Sequence, residues 1–257
     1  MVKAMKYFAK IKYVGTAFCG FQVQPDKRTV QGELCAAMDA VFGVPCKVTG
    51  CSRTDSGVHA NEFCITVENE GGTVPASKLP VAIARFLPCD ISLFYAKECD
   101  SSFHPRYDAK GKEYLYRILN SKVQDPFEYG RAWFLPRLIT DDGIRQMKEA
   151  SRYVLGKHDF SAFMAAGSDT EDTVREVDYI NIDRVGDIIE IRIHADGFLY
   201  NMVRIIVGTL TEIAFGRFPP SEMKNIIESL DRANAGMTAP AEGLYLNRVD
   251  YKFPKLP

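Results

Sequence analysis

The chain has 257 residues, 46% of them apolar, enough for one large domain or two small ones with a substantial core. Its 32 basic and 33 acidic residues leave a formal net charge of -1, so the bulk charge does not indicate a nucleic-acid-binding protein. Any RNA site must therefore be a local basic patch on a nearly neutral chain.

Seven cysteines all lie in the first half of the chain, and no two of them are spaced as Cys-x-x-Cys. They are Cys19, Cys35, Cys46, Cys51, Cys64, Cys89 and Cys99. An odd number of scattered cysteines is typical of reduced thiols, which predicts a cytoplasmic protein. The four histidines are dispersed, so no metal site is indicated. The N-terminal segment lacks the apolar stretch of a signal peptide.

Six elements are predicted in the first half, in the order strand, helix, strand, strand, helix, strand. The first strand, residues 6–13, alternates apolar residues with lysines and should be half-buried. Thr29 can cap the first helix, in which apolar residues recur at near-helical spacing up to Phe42. The remaining elements are strands at 46–49 and 63–67, a helix at about 78–86 and a strand at 91–96.

The second half is predicted to repeat this order of elements. It begins with a strand from Lys110 that contains Tyr114, and Thr140 can cap the helix that follows. The later elements are strands at 174–183 and 189–193, a helix at 198–215 and a last strand near 243–251.

Each half has the βαββαβ order of a ferredoxin-like unit. We therefore predict an α+β chain of two such units, each an antiparallel sheet with helices on one face, and a cleft between the units. The predicted units are residues 1–105 and 106–257. Open sheet faces of this kind are frequent RNA-binding platforms, although a fold alone does not establish a function.

The polar run at residues 50–60, GCSRTDSGVHA, must be a loop between two strands. Such a loop can aim the carboxylate of Asp55 into a cleft. Alternatively, Asp55 and Arg53 simply form a turn in which the aspartate bonds its own backbone. The residues alone do not name a reaction.

The segment RTDSGVHA, from Arg53 to Ala60, resembles the signature of the TruA family of tRNA pseudouridine synthases. Further motifs agree with that family in the same order, so the resemblance spans essentially the whole chain. They are GFQVQ at 20–24, VQG at 30–32, FHPR at 103–106, KEYLY at 112–116, MVRIIVG at 202–208 and AEGLYL at 241–246. The chain departs from the family at Phe21, where many members carry tryptophan, and at Tyr200 and Asn201, where members vary.

The resemblance implies an isomerase that converts uridine to pseudouridine at positions 38, 39 and 40 of the tRNA anticodon stem-loop, without a cofactor. Asp55 is implied as the nucleophile, because a covalent carboxylate adduct divides the reaction into easier steps. A base inside a stem cannot be reached, so the target nucleotide must be flipped out. The family also implies a homodimer in which one tRNA touches both protomers.

Two further roles are carried over from the family onto matching positions. Tyr114 matches the tyrosine that stacks on the flipped uracil, and Arg53 would help to flip or replace the base and contact phosphate. Without the family, the ordinary interpretation is favoured for Tyr114, as a strand tyrosine that fills half-buried space beside Tyr116, and Arg53 can be a simple surface arginine.

Arg204 is a candidate site residue without reference to any family. It lies among apolar residues in the predicted helix 198–215, which also carries Asn201 and Glu212 and is therefore a core helix rather than a membrane span. A buried guanidinium is costly unless an anion meets it, and Asp55 is the predicted partner. Alternatively, Arg204 reaches solvent or pairs with a structural carboxylate.

Other residues admit both functional and ordinary interpretations. His59 and His104 could act in acid–base chemistry, but neither has an evident acidic partner, and His59 can simply order the loop. Basic residues that could follow the phosphate backbone, or be solvated surface charges, are Arg85, Arg106, Lys110, Lys112 and Arg117.

Two other functions stay open at this point. The first is a non-catalytic RNA-binding protein with the same two-unit fold. The second is a thiol hydrolase that uses a cysteine and His59, although no nucleophile motif surrounds any cysteine.

Overall fold

The computed structural model describes residues 5–167 and 170–252. In chain order the strands are β1 (Met5–Tyr13), β2 (Cys46–Gly50), β3 (His59–Asn69), β4 (Ile91–Glu98), β5 (Ala109–Leu119), β6 (Trp133–Phe134), β7 (Gly156–Asp159), β8 (Val174–Val185), β9 (Ile188–Ala195) and β10 (Leu244–Tyr251). The α-helices are α1 (Val30–Phe42), α2 (Leu79–Ala84), α3 (Asp141–Ser151), α4 (Met202–Ala214) and α5 (Glu222–Ser229). Helices and mostly antiparallel strands are both present, and the predicted α+β class is confirmed.

Contacts group the chain into two compact units, residues 1–110 with 245–257 and residues 111–244. The sequence prediction instead divided the chain once, between residues 105 and 106. The two divisions differ mainly at β10, which belongs to the first unit rather than completing a second βαββαβ order. Periodicity shows that a segment is a strand, but it does not show which sheet that strand joins.

The sheet of the first unit is built around β1, which lies between β3 and β4 and is antiparallel to both. Strand β2 adds to β3 in the antiparallel sense. Strand β10 instead runs parallel to β3, with Tyr245 opposite His59. The prediction of a purely antiparallel sheet is therefore wrong for this unit, since alternation carries no information on strand direction.

In the second unit β9 lies between β5 and β8, antiparallel to both, and β7 extends the sheet beyond β8. The two-residue strand β6 is parallel to β5, so the antiparallel prediction is wrong here as well. Strands β6 and β7 and helix α5 were not predicted. The two strands are too short for a periodic pattern to emerge.

Strand β1 is buried on both faces along part of its length. Tyr7 and Ile11 face the helices and are fully buried, as the alternation predicts. Phe8, on the opposite face, is fully buried too, because the rings of Phe103 and Tyr251 lie 5.6 Å from it. The prediction of a half-buried strand is thus correct for the face with Tyr7 and Ile11, but the opposite face is also buried at Phe8.

The predicted helix caps are confirmed. The Thr29 hydroxyl accepts the N–H of Gly32 at 3.3 Å, and the Thr140 hydroxyl accepts the N–H of Gly143 at 3.1 Å. Helix α4 is almost entirely buried, as expected of a core helix, but it begins at Met202 rather than at residue 198. None of the helices within residues 5–167 and 170–252 is both long and apolar enough to cross a membrane.

Candidate active site

The loop at residues 51–58 connects β2 to β3, and hydrogen bonds fix both of its ends. At its start, the N–H of Cys51 donates to the carbonyl of Cys64 at 2.9 Å. The N–H of Cys64 in turn approaches the Cys51 sulfur at 3.4 Å. At its end, His59 begins β3 and lies opposite Tyr245 of the parallel neighbour. The loop is therefore a short link between two fixed points of one sheet.

A β-turn within this loop carries Asp55. The N–H of Val58 donates to the Asp55 carbonyl at 3.2 Å, and Gly57 has a φ of 81°, as the third position of a type II turn requires. The expectation of a turn at Asp55 is thus correct for the backbone. Asp55 is partly exposed while Thr54 beside it is buried, so the turn presents a carboxylate on an anchored backbone.

The segment from Tyr13 to Phe21 clamps the loop from one side. The Tyr13 hydroxyl lies 2.7 Å from that of Thr54, and the N–H of Phe21 donates to the Thr54 carbonyl at 3.1 Å. The Ser56 hydroxyl donates to the carbonyl of Phe18 at 3.1 Å. Residues on both sides of Asp55 are held by the same segment, which limits the positions that the carboxylate can take.

Gly15 allows this clamp to approach the loop closely. A Cβ at Gly15 would lie 1.9 Å from the carbonyl oxygen of Val58, so no other residue fits without moving the loop. The N–H of Gly15 donates to Nδ1 of His59 at 2.9 Å. Sequence reasoning missed both Gly15 and Tyr13 as supports, because their partners lie about forty residues along the chain.

His59 is buried, which agrees with the interpretation that it orders the loop rather than acting in acid–base chemistry. Its side chain is 1% exposed, and its ring stacks on Tyr245 with centroids 4.5 Å apart and an interplanar angle of 22°. His104 instead accepts the N–H of Arg106 at 3.1 Å within its own loop. Each of these histidines thus accepts a backbone N–H at its Nδ1 nitrogen.

Phe21, one of the departures from the family pattern, lies in the core. It is 3% exposed and stacks on Phe63 with centroids 4.3 Å apart. The phenyl ring thus fills space behind the loop, and the departure does not alter the groups around Asp55.

Arg53 is exposed at the start of the loop's polar stretch, two residues before Asp55. Among the other basic candidates, Arg117 donates to both carboxylate oxygens of Glu128, at 2.7 and 2.9 Å. That pairing favours a structural role for Arg117. Arg85 lies over the ring of Phe86, 4.5 Å from its centroid, and remains exposed.

Tyr114 lies on β5 of the second unit, opposite Ile193 of β9. Its side chain is 8% exposed, and the ring of Phe198 meets it edge-on with centroids 5.0 Å apart. An aromatic neighbour held in this way fixes the orientation of the ring. The structure thus places Tyr114 in an ordered apolar setting, and its stacking role stays a prediction.

Arg204 lies in the first turn of α4 and is partly exposed. Its Nε donates to the carbonyl of Ala239 at 2.7 Å, and an Nη donates to the side-chain oxygen of Asn201 at 2.7 Å. Asn201 precedes the helix with a φ of 60°. Arg204 is therefore oriented by two neutral oxygens of its own unit, and its pairing with Asp55 stays a prediction.

The thiols near the loop are poorly suited to nucleophilic chemistry. Cys51 and Cys64 are fully buried, and burial raises the pKa of the Cys64 thiol far above its usual range. A thiol must lose its proton to attack, so burial opposes the thiol-hydrolase alternative. Within the described part of the chain, no cluster of His, Cys, Asp and Glu could hold a metal ion.

Comparison with known proteins defines the class of protein to which this α+β chain belongs. The family model described as tRNA pseudouridine synthase matches residues 9–108 and 150–252. Asp55 and Arg204 lie inside the matched ranges and Tyr114 lies outside them. The chain is thus a pseudouridine synthase, an enzyme of the isomerase class.

Curated relatives narrow the class further. "tRNA pseudouridine synthase A" of Thermoanaerobacter sp. (strain X514) is 44% identical over 241 residues, covering 94% of this chain and 97% of the relative. The Bacillus pumilus (strain SAFR-032) protein of the same name is 41% identical over 251 residues, covering 96% and 99%. The chain belongs to the TruA family of tRNA pseudouridine synthases, which confirms the predicted family.

A more distant likeness is found among solved structures. A chain of "Crystal structure of the archaeal box H/ACA sRNP Nop10-Cbf5 complex" matches with a TM-score of 0.33 and 13% identity, covering 92% of this chain and 46% of that one.

Proposed function

We propose that this enzyme converts uridine to pseudouridine at positions 38, 39 and 40 of the tRNA anticodon stem-loop, with Asp55 as the nucleophile. The observation that carries the proposal is the anchored turn: Asp55 is partly exposed while Thr54 and Val58 on either side are buried. A nucleophile presented on a fixed backbone loses little freedom on the way to the transition state. The family motif lies on this same turn.

The reaction itself explains why no cofactor is needed. The N1–C1′ bond of uridine breaks, a C5–C1′ bond forms, the proton on C5 leaves and N1 gains a proton. Substrate and product contain the same atoms, so no oxidant or reductant takes part. A covalent carboxylate adduct would hold one fragment while the uracil turns.

The remaining roles concern the flipped nucleotide. We propose that Tyr114 stacks on the extruded uracil and that Arg53, exposed beside Asp55, assists flipping and contacts phosphate. Arg204 would stabilise the carboxylate of Asp55 and thereby complete the site. Its fixed orientation on Ala239 and Asn201 supports a role in which direction matters.

The proposed assembly is a homodimer that binds one tRNA with both protomers. Light scattering tests it, because the protomer mass is 28.8 kDa and the dimer would show twice that value. The seven free cysteines suit the cytoplasm, where thiols stay reduced.

The decisive experiment measures tritium release from unmodified tRNA labelled at uridine C5. The parent and the variant Asp26→Asn, a matched change at an exposed aspartate, should release tritium. Asp55→Asn should release none while tRNA binding is retained. Release by Asp55→Asn would remove Asp55 from its role, and binding without release by the parent would favour the RNA-binding alternative. Transcripts with a single uridine at position 38, 39 or 40 test the target positions.

A further inference from the structure

The ring of His59 joins the end of the loop to two other segments of the first unit. Nδ1 accepts the N–H of Gly15 at 2.9 Å, and the ring face stacks on Tyr245 at 4.5 Å. An imidazole nitrogen that accepts a hydrogen bond carries no proton, so Nε2 bears the ring proton. The His59 side chain is 1% exposed, so its hydrogen bond with Gly15 lies in the protein interior.

The contact with Gly15 is coupled to the backbone of Asp55. Gly15 also packs against the Val58 carbonyl, at a distance too short for any Cβ. Val58 closes the β-turn whose first residue is Asp55, through the 3.2 Å hydrogen bond between their backbones. A change in the His59–Gly15 distance therefore shifts Val58, and with it the turn that carries Asp55.

We propose that His59 is a positioning residue, which holds Asp55 in its reactive place through the hydrogen bond to Gly15, while the stack on Tyr245 only orients the ring. The inference rests on the proposed function, since it takes Asp55 as the nucleophile. Displacing a reacting group by about 1 Å can cost on the order of 10²-fold in rate. The rate of the chemical step should therefore fall when His59 is changed, while tRNA binding is little affected.

Two variants of nearly equal shape isolate the hydrogen bond. His59→Asn keeps an acceptor oxygen on Cγ, close to the place of Nδ1, whereas His59→Leu offers none. Both lose the ring, so they lose the Tyr245 stack equally. A third variant, His59→Phe, keeps a stacking ring but leaves the buried N–H of Gly15 unpaired, which is costly.

The first readout is single-turnover tritium release with enzyme in excess, alongside the Kd for tRNA. We expect His59→Leu and His59→Phe to react on the order of 10-fold to 10²-fold more slowly than the parent, and His59→Asn to recover most of that loss. The Kd should change less than threefold in all three. Equal rates for the Asn and Leu variants, or a Phe variant faster than Asn, would overturn the proposal.

The second readout does not depend on activity. Hydrogen exchange of peptides covering residues 50–60 should be faster in His59→Leu than in His59→Asn, because only the latter can keep Gly15 bonded. Equal exchange in the two variants contradicts the positioning role even if the parent proves inactive on tRNA. An inactive parent with the expected exchange difference would count against the proposed function alone.

Discussion

The hydroxyl of Tyr13 lies 2.7 Å from the hydroxyl of Thr54, and this contact ties the end of β1 to the residue immediately before Asp55. Tyr13 is 4% exposed and Thr54 is 7% exposed, so water does not readily replace either partner. A buried hydroxyl left without its partner costs about 1–3 kcal/mol. The strand and the loop therefore stabilise each other.

A double-mutant cycle tests this contact. Tyr13→Phe and Thr54→Val should each lower the free energy of unfolding by about 1–3 kcal/mol in urea titrations. The double variant should lose less than the sum, with a coupling of about 0.5–3 kcal/mol, because both polar groups are then removed together. Tyr95→Phe, at a tyrosine that is 43% exposed, is the control and should change little. Strictly additive losses would show that the two hydroxyls do not interact.

Gly20 provides a second test. It concerns the close approach of the segment from Tyr13 to Phe21 to the loop that carries Asp55. It has a φ of 83°, and an added Cβ would lie 2.7 Å from the Thr54 carbonyl oxygen. Gly43 has a similar φ of 70° but nothing within 4 Å of that position. Both Ala variants should lose about 1–2 kcal/mol of stability from the left-handed backbone. Only Gly20→Ala should also slow tritium release, by about tenfold or more, since the loop must move. Equal activity in the two variants would contradict the clamp.

Local features of the fold were predictable from the sequence. The caps at Thr29 and Thr140 and the buried character of α4 follow from patterns within a dozen residues. The position of the Asp55 turn follows from a polar run between two alternating segments. Each of these depends on neighbours in sequence, which periodicity and capping rules describe well.

Long-range partners were not predictable in the same way. Strand β10 places Tyr245 beside His59, and Tyr251 covers Phe8, yet the sequence places both tyrosines near the other end of the chain. Alternation in β10 indicates a strand but leaves its partner and direction open. For the same reason the support of the loop by Gly15 has no local signal. The family motif identifies the candidate residues, whereas the contacts that hold them in place are visible only in the structure.

Arg204 supports a prediction about geometry rather than charge. Arg204→Lys keeps the charge but cannot bond Ala239 and Asn201 with the same planar fork. Since a hydrogen bond to a charged group contributes about 1.5–3 kcal/mol, tritium release should slow by about tenfold or more. Arg217→Lys is the control, because Arg217 also pairs with a side-chain oxygen, that of Glu212, but is itself 67% exposed. A fully active Arg204→Lys protein would place Arg204 outside the site.

Thiol reactivity separates the proposed enzyme from a thiol hydrolase. Burial raises the pKa of Cys46 to about 12 and that of Cys99 to about 11, and raises that of Cys64 further. A pKa above the ambient pH keeps the thiol protonated, and only the thiolate reacts with iodoacetamide. Near pH 7 these three cysteines should therefore label slowly, and their labelling should accelerate as the pH rises toward those pKa values. Mass spectrometry of peptides should show exposed Cys89 labelled first. Tritium release should be unchanged in the labelled protein and in Cys89→Ser, and loss of activity in step with labelling of any one cysteine would restore the thiol mechanism.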